Sequence, residues 1–260
     1  MISLTRLKRQ TYTMNKNRFI TSAKKPSRVE NRKQDLYTFV IVSDTPGYRM
    51  KSYGPTALIS FQSNRLIDLQ IESIRSSFQN FEIIICCGSD PDKIYKHVKV
   101  NHNNENIRIV ENQLCNNSNT CESIRLAINN TTNDKIYILD GKLLIFPDLF
   151  KTRLDHTFVY VEDNPCENLE VGVNINEDST VEHFSYGASK TWSEIVYLGE
   201  KSTIENFRKI ISTIDFKNKF MFEALNELIK SKKDIAYVIN VSPVKKINNI
   251  KTYHAVKEMI

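Results

Sequence analysis

A chain of 260 residues, 40% of them hydrophobic and 25% charged, has the size and composition of an ordinary globular protein with one large domain or two small ones. No apolar run approaches the roughly 18 residues that a membrane span needs, and the basic start lacks the apolar segment of a secretory signal. The five cysteines show neither CxxC nor Cys/His metal spacing. We therefore expect an intracellular protein without a membrane partner, whose thiols are packing residues in a reducing interior.

The net charge of +6 arises entirely from the first 36 residues. They contain ten Lys and Arg residues and two acids, Glu30 and Asp35, whereas the rest of the chain has a small excess of acids. Because large apolar residues are few and no period is sustained, residues 1–36 are predicted to form an extended or disordered basic arm. Three interpretations of the arm stay open: a solvated tail, a contact with nucleic acid or an acidic protein surface, and an organelle transit peptide.

From Leu36 onward, the sequence predicts alternating strands and helices. Runs rich in β-branched and aromatic residues predict four buried strands, at 36–42, 81–87, 107–110 and 135–140. An apolar stripe at helical spacing predicts a helix over 65–78, and "TCESIRLAI" predicts another, with Asn119 or Thr120 as its N-cap. This order predicts a mostly parallel, doubly wound sheet covered by helices.

After Thr157 the pattern changes to short strands separated by turns, which predicts an antiparallel or mixed extension of the sheet. Two amphipathic helices are predicted near 203–213 and 217–231, followed by a strand in "IAYVINV" and a final helix from about Ile250. Neither a repeat nor a linker interrupts residues 37–260, so this part is predicted to be a single α/β domain.

Three loops are the expected place for a ligand, because open α/β sheets bind ligands beyond the carboxyl ends of their strands. They span residues 43–57, 111–120 and 140–143. The first lies in "VSDTPGYRMKSYGPTALISF", the second in "ENQLCNNSNTCESIRLAI" and the third in "YILDGKLLI". Two further segments, "EHFSYGASKTWSEIVYL" and "KKINNIKTYHAVKE", follow them.

In this order, and with the helix "RLIDLQIESI" after the first of them, these segments resemble the sugar-phosphate nucleotidyltransferases, which have a GT-A-like Rossmann fold. The first resembles their glycine-rich loop, with matches at Gly47, Arg49, Met50, Pro55 and Leu58. The others resemble the base-side loop and helix, the metal-bearing turn, the strand pair that walls the sugar pocket, and the closing segment. The resemblance covers about residues 37–260 and is strongest for the branch that makes CDP- or UDP-activated alcohols and sugars.

The resemblance implies that a sugar or alcohol phosphate attacks the α-phosphorus of CTP or UTP, with Mg²⁺ bridging phosphate oxygens. Gly47 and Arg49 would contact phosphate, and Asn119, Thr120 and Ser123 would bind the base near a helix N-terminus. The alternative interpretation makes Arg49 an ordinary surface residue and the three base-side residues turn and cap residues.

Two departures from the family pattern affect phosphate binding. Thr45, followed by Pro46, replaces the first loop glycine, so the loop loses a residue that tolerates positive φ and a backbone N–H. Thr56 replaces the phosphate-binding lysine, and a hydroxyl group cannot supply its charge. Lys51 is the neighbouring cation that could contact phosphate instead.

Two further departures affect the metal site and the sugar pocket. Lys142 stands where the family has its metal-binding aspartate, and we predict that a contact between Asp140 and Lys142 occupies the former metal position. Asp140 and Asn248 are therefore only weak candidates for metal ligands. Glu194 replaces a pocket glycine and is predicted to fill the pocket or bind a different substrate. If activity persists, Arg49, Lys51, Asp140 and Lys142 are the catalytic candidates.

The leading hypothesis is a catalytically degraded, nucleotidyltransferase-like protein that serves as a binding or structural module. Its basic arm would attach it to a larger assembly or oligomer, and the abundance of Lys, Asn and Ile, typical of AT-rich genomes, makes a viral or phage particle one such assembly. A nucleotide is the expected ligand, no cofactor is expected, and Mg²⁺ would be needed only if the protein is active.

Two alternatives remain. One is an active nucleotidyltransferase in which Lys142 serves as a built-in cation. The other is a GT-A glycosyltransferase, for which "DGK" lacks the usual Asp-x-Asp motif. The five histidines are scattered without ligand spacing and receive no role.

Overall fold

The structure, a computed structural model, describes residues 35–44, 50–231 and 234–258. All but Asp35 and Leu36 of the predicted arm therefore lie outside the described residues. The helices α1 to α6 span Leu66–Ser77, Pro91–Asn101, Thr120–Ile128, Lys201–Ile211, Met221–Lys230 and Ile250–Lys257. The strands β1 to β13 span Tyr37–Ser43, Ser60–Phe61, Asn64–Arg65, Phe81–Cys87, Ile107–Glu111, Ile136–Asp140, Leu143–Leu144, Phe158–Glu162, Val171–Ile175, Val181–Tyr186, Lys190–Leu198, Ala236–Ile239 and Lys245–Lys246.

Nine strands form one sheet in the order β10-β9-β11-β6-β1-β4-β5, in which β8 pairs with β11 and β12. Strand β1 is parallel to both of its neighbours, with Ile41 opposite Ile85 on one side and Leu139 on the other. Strand β11 runs antiparallel to β6, β8 and β9. The predicted parallel sheet and its mixed extension after Thr157 are both confirmed.

Helices cover both faces of this sheet, because successive side chains of a buried strand point to opposite faces. Val40 and Val42 pack in a cluster with α3, α4 and α5, whereas Phe39 and Ile41 pack in a cluster with α1 and α2. Cys86 and Cys87 are free and buried and belong to opposite clusters, as their adjacency predicts. None of the described helices is both long and apolar enough to cross a membrane.

Local hydrogen bonds explain where the structure differs from the predicted helix bounds. Asn119 is the N-cap of α3, since its side chain accepts a hydrogen bond from the Thr120 N–H at 2.8 Å. Helix α5 begins later than predicted because the Glu223 carboxylate accepts the Phe220 N–H at 2.9 Å, after a short 3-10 helix at Ile214–Asn218. Helix α2 has only two buried apolar residues, too few to place its bounds from sequence.

The strand order reverses between β1 and β6, because β4 and β5 lie on one side of β1 and β6 lies on the other. At the end of β6 the Gly141 N–H donates to the Val42 carbonyl at 2.7 Å. A Cβ atom on Gly141 would lie only 3.0 Å from that oxygen and 3.1 Å from the Cβ of Ser43. A glycine therefore lets the two strand ends meet, and a ligand is expected beside them.

At the opposite end of the parallel strands, a buried carboxylate joins separate chain segments. Glu82, only 6% exposed, accepts hydrogen bonds from Thr38 Oγ1 at 2.7 Å, Thr131 Oγ1 at 2.6 Å and Asn133 Nδ2 at 3.0 Å. Arg108 pairs with its second oxygen. This network fixes the start of β1 and β4 and the connection from α3 to β6.

Replacing Glu82 by Ala should destabilise the protein by about 3 kcal/mol, because buried donors lose their shared acceptor. Glu82→Gln, which keeps one acceptor oxygen, should cost less, and Arg108→Ala should cost under about 1 kcal/mol because that side chain is half-exposed. Urea unfolding followed by circular dichroism measures all three. Equal losses for Glu82→Ala and Arg108→Ala would contradict this account.

Candidate functional site

A pocket of about 490 Å³ lies at the strand-order reversal, the position expected for a ligand. Its floor includes Val42 of β1 and Leu139 of β6, so the carboxyl ends of both strands face it. Polar residues at the start of α3, acidic residues of four segments, two lysines and an aromatic group form the walls. The pocket therefore combines charged and apolar surfaces.

An ion pair occupies the end of β6. Lys142 Nζ lies 3.1 Å from Asp140 Oδ2, and the Lys142 backbone N–H donates to Asp140 Oδ1 at 2.7 Å. Both oxygens of the carboxylate are therefore engaged by one residue. Attraction to Asp140 raises the pKa of Lys142 above its ordinary value despite burial, so this lysine is an ammonium at neutral pH. The contact predicted from the sequence is present.

A second ion pair lies beside the first because two short strands meet there. Strand β13 pairs with β7, and the Ile247 N–H donates to the Lys142 carbonyl at 2.9 Å. This pairing places Lys246 Nζ 3.4 Å from Glu194 Oε1 and brings Asn248 into the pocket wall. Burial raises the pKa of Glu194, and the Lys246 ammonium opposes that shift.

Glu194 reaches the pocket through an unusual backbone conformation. Its φ is +57°, in the left-handed region that glycine adopts without strain, and β11 changes register against β8 between Trp192 and Val196. A non-glycine residue in such a conformation costs on the order of 1 kcal/mol. The bulge directs Glu194 into the pocket, where the resemblance predicts a glycine and open space.

Asp44 is a pocket residue that the sequence analysis missed. Its Oδ2 accepts a hydrogen bond from Ser123 Oγ at 3.0 Å, and Asn112 Nδ2 donates to that same hydroxyl at 2.9 Å. Burial, followed by repulsion from Asp140, raises the pKa of Asp44 above its ordinary value. Its place directly after a buried strand was the feature that could have identified it.

The base-side residues divide into two groups in the structure. Asn119 and Thr120 line the pocket beside Ser118, and Asn119 also caps α3; contact of either residue with a base stays a prediction. Ser123 is fully buried and is not among the lining residues; it supports Asp44 instead. Ser123 is therefore not placed to contact a base directly.

Aromatic side chains form part of the pocket wall. Tyr186 and Trp192 belong to the segment that the resemblance places there, whereas Phe220 and Phe222 were not predicted. The rings of Phe220 and Phe222 are stacked, with centroids 6.0 Å apart and planes at 16°, and Tyr186 meets Phe222 edge-on at 5.9 Å. Trp192 lines the pocket and packs edge-on against the buried Phe184 at 5.0 Å. Such faces suit a planar ligand group.

The glycine-rich loop is only partly described. Gly47 and Arg49 lie outside the described residues, and so does the side chain of Lys51, so their predicted contacts with phosphate stay predictions. Thr56 is 2% exposed in the 3-10 helix Thr56–Leu58 and is not among the lining residues. The residue at this position therefore packs against the protein rather than facing a ligand.

The described residues at the end of β6 do not fit a Mg²⁺ ion. Magnesium prefers carboxylate and water oxygens, whereas here an ammonium group lies within 3.1 Å of the Asp140 carboxylate. Asn248 contributes an amide that carries no charge. In the part of the chain that the structure describes, one group of His and Asp side chains could hold a metal ion. It lies outside this pocket.

No protein-family model matches this chain, and a search of curated proteins finds no relative by sequence. Solved structures match over most of its length. CTP:phosphocholine cytidylyltransferase from Streptococcus pneumoniae aligns with a TM-score of 0.71 at 18% identity, covering 86% of this chain and 98% of that one. The inositol-1-phosphate CTP transferase from T. maritima aligns with a TM-score of 0.69 at 14% identity, covering 87% of this chain and 96% of that one. The nucleoside-diphosphate-sugar pyrophosphorylase from Vibrio cholerae aligns with a TM-score of 0.68 at 13% identity, covering 85% of this chain and 99% of that one.

The protein therefore has the fold of the nucleotidyltransferases, a Rossmann-like α/β fold of the GT-A type, as the sequence predicts. Likeness at these identities establishes the fold and leaves the chemistry to the site itself. The residues that line the pocket must therefore decide what the protein does.

Replacing Asp44 by Asn should stabilise the protein on the order of 1 kcal/mol at pH 8. When a carboxyl has a higher pKa in the folded than in the unfolded state, the protein loses stability as pH rises through the interval between the two values. The advantage of the variant should therefore shrink as the pH falls toward 4, and urea unfolding at several pH values measures it. A variant less stable than the wild type at pH 8 would contradict the conclusion that folding raises the pKa of Asp44.

Proposed function

We propose that this protein is a non-catalytic binding module with a nucleotidyltransferase fold. Its pocket takes a small polar ligand, such as a nucleoside or a mononucleotide, without a divalent ion. The observation that carries this proposal is the ion pair between Lys142 and Asp140 at the end of β6.

A simple electrostatic comparison supports this conclusion. An ammonium about 4 Å from a divalent ion repels it by roughly 8 kcal/mol at an effective dielectric of 20, twice the energy for two unit charges. That repulsion cancels the attraction of one carboxylate at the same distance. Asp140 and Lys142 together thus offer a divalent ion no net attraction at the end of β6, the position where the resemblance places the metal.

The described pocket wall also has the wrong overall charge for a triphosphate. Its acidic residues outnumber its lysines, since Asp44, Asp140, Glu170 and Glu194 face only Lys142 and Lys246. An excess of negative charge repels a strongly anionic ligand but tolerates a neutral or weakly charged one. The aromatic wall and the polar start of α3 would then hold a planar ring.

The wild-type protein should release no pyrophosphate above background when incubated with CTP or UTP, Mg²⁺ and a range of sugar and alcohol phosphates. Any thermal stabilisation by a nucleoside or mononucleotide should be the same with and without Mg²⁺. Lys142→Asp, which restores a carboxylate at this position, should gain Mg²⁺-dependent stabilisation by CTP or UTP, because two carboxylates then attract the ion. Coupled enzymatic detection of pyrophosphate and differential scanning fluorimetry measure these effects.

Lys209→Asp, the same charge change at an exposed helix position, is the matched control and should leave the metal response unchanged. Pyrophosphate release by the wild type that requires Mg²⁺ and disappears in Arg49→Ala would overturn the proposal. The active nucleotidyltransferase would then be the correct function.

A second proposal concerns the basic arm, residues 1–36. We propose that it attaches the module to nucleic acid within a larger assembly, such as a viral or phage particle. The supporting observation is the charge distribution, because ten basic residues lie in a segment with two acids while the remainder of the chain is slightly acidic. An acidic protein surface is the other partner that this charge would suit.

The arm should give the full-length protein salt-dependent affinity for single-stranded nucleic acid. Replacing Lys8, Arg9, Lys24 and Lys25 by Gln should lower the slope of log affinity against log salt by about 3, since each phosphate contact contributes about 0.7. The matched control replaces four exposed domain lysines, Lys96, Lys99, Lys209 and Lys251, and should leave the slope unchanged. Fluorescence anisotropy measures both, and equal slopes for the wild type and the arm variant would contradict this role.

A further inference from the structure

Three potential metal ligands converge outside the pocket, on the sheet face covered by α1 and α2. Asp68 Oδ1 lies 2.7 Å from His97 Nε2 and 2.7 Å from His102 Nε2, and the three atoms all lie within 4.8 Å of one another. The histidines, which receive no role from the sequence, thus include two that the fold brings together at one carboxylate. None of the three residues is among those that line the pocket.

Two helix ends hold these side chains in place. Asp68 lies in the first turn of α1, where its Oδ2 accepts the Arg65 backbone N–H at 2.7 Å, so Oδ1 remains for the histidines. His97 lies in α2, and His102 is the C-cap of that helix, with its N–H donating to the Val98 carbonyl at 2.8 Å. The ligand atoms therefore come from two helices, the first turn of α1 and the C-terminal half of α2.

The surroundings leave this group free to hold a cation. Among the described residues, no lysine or arginine forms an ion pair with Asp68, because the nearby Arg65 guanidinium is directed to the Leu58 carbonyl at 3.1 Å and to Ser60. The side chains of Asp68, His97 and His102 are 14–19% exposed, so an ion can reach them from solvent. Asn101 Nδ2 lies 3.2 Å from His97 Nδ1 and helps to fix the orientation of that ring.

We propose that Asp68, His97 and His102 form a binding site for a divalent transition-metal ion of the zinc class. Two imidazole nitrogens and one carboxylate oxygen suit such an ion, whereas Mg²⁺ and Ca²⁺ prefer oxygen ligands alone. A tetrahedral ion at ~2.1 Å from each atom needs ligand atoms about 3.4 Å apart, so each Nε2 moves away from Oδ1 by roughly 0.7 Å. The fourth position is left for a water molecule.

Binding replaces two hydrogen bonds with metal bonds. A carboxylate only accepts hydrogen bonds, so in the metal-free protein each Nε2 carries the proton that it donates to Asp68. On metal binding each imidazole carries its proton on Nδ1 instead, and Nε2 gives its lone pair to the ion. The Nδ1–H of His97 then faces Asn101, whose amide turns to present its oxygen as the acceptor. The ion then joins α1 to α2. The Gln70 side chain of α1 also donates to the Asp140 carbonyl at 3.0 Å and the Leu143 carbonyl at 2.8 Å, so the site would steady a helix that supports the pocket.

The test uses the reduced, full-length protein after treatment with EDTA and removal of the chelator. Titration with Zn²⁺ against a chromophoric chelator should show one tightly bound ion per chain and an increased melting temperature. His97→Gln and His102→Gln should each weaken binding at least 100-fold, because each removes a direct ligand. Glutamine keeps an amide that can donate to Asp68, so these variants are expected to fold, and circular dichroism confirms it.

The chain offers clean controls, since all five histidines and all five cysteines lie within the described residues and the arm contains neither type. His183→Gln and Cys115→Ser should leave zinc binding unchanged. Cobalt(II) should give the visible absorption of a tetrahedral site without a thiolate charge-transfer band. Failure of the folded wild type to bind one Zn²⁺ at micromolar concentration, binding that survives in the double variant His97→Gln/His102→Gln, or a thiolate band would each overturn the proposal.

Discussion

The ion pair between Asp140 and Lys142 determines how the pocket is built and how it can act. Asp140 ends β6 beside β1, and its two oxygens are taken by the backbone N–H and the ammonium of Lys142. The carbonyl of the same lysine accepts the N–H of Ile247, which brings Lys246 to Glu194 and closes a second ion pair. Because buried charges are costly unless they are paired, Asp140 and Glu194 each have a lysine partner, while Asp44 and Glu170 give the described pocket wall its excess of negative charge.

The polar residues at the two ends of the parallel strands have different roles. At one end Glu82 gathers donors from three segments and is almost fully buried, so its polar atoms serve the stability of the fold. At the other end the strand order reverses between β1 and β6, and charged residues, two of them in ion pairs with lysines, line a cavity. A sheet with this topology opens a crevice only at its carboxyl end, which is why the charged side chains gather there.

The chain shares a fold with nucleotidyltransferases at 13–18% identity, and this low figure has a physical explanation. A packed core requires apolar side chains of suitable volume and period, and many sequences satisfy that requirement. Catalysis requires particular groups at particular positions, so proteins that share this fold can differ in chemistry without a difference in the core. Glu194 shows the same principle at the backbone: it keeps a left-handed conformation suited to glycine and directs a carboxylate into the pocket.

The sequence by itself determined the order of strands and helices, the parallel sheet with its mixed extension, and the contact between Asp140 and Lys142. These features follow from periodicity and short spacing, which operate over a few neighbouring residues. Only the tertiary structure decided which distant residues meet: Asp44 with Ser123, Lys246 with Glu194, and Asp68 with His97 and His102. Those pairs are separated by 29 residues or more, so their contacts depend on strand register and helix packing, which no local pattern specifies.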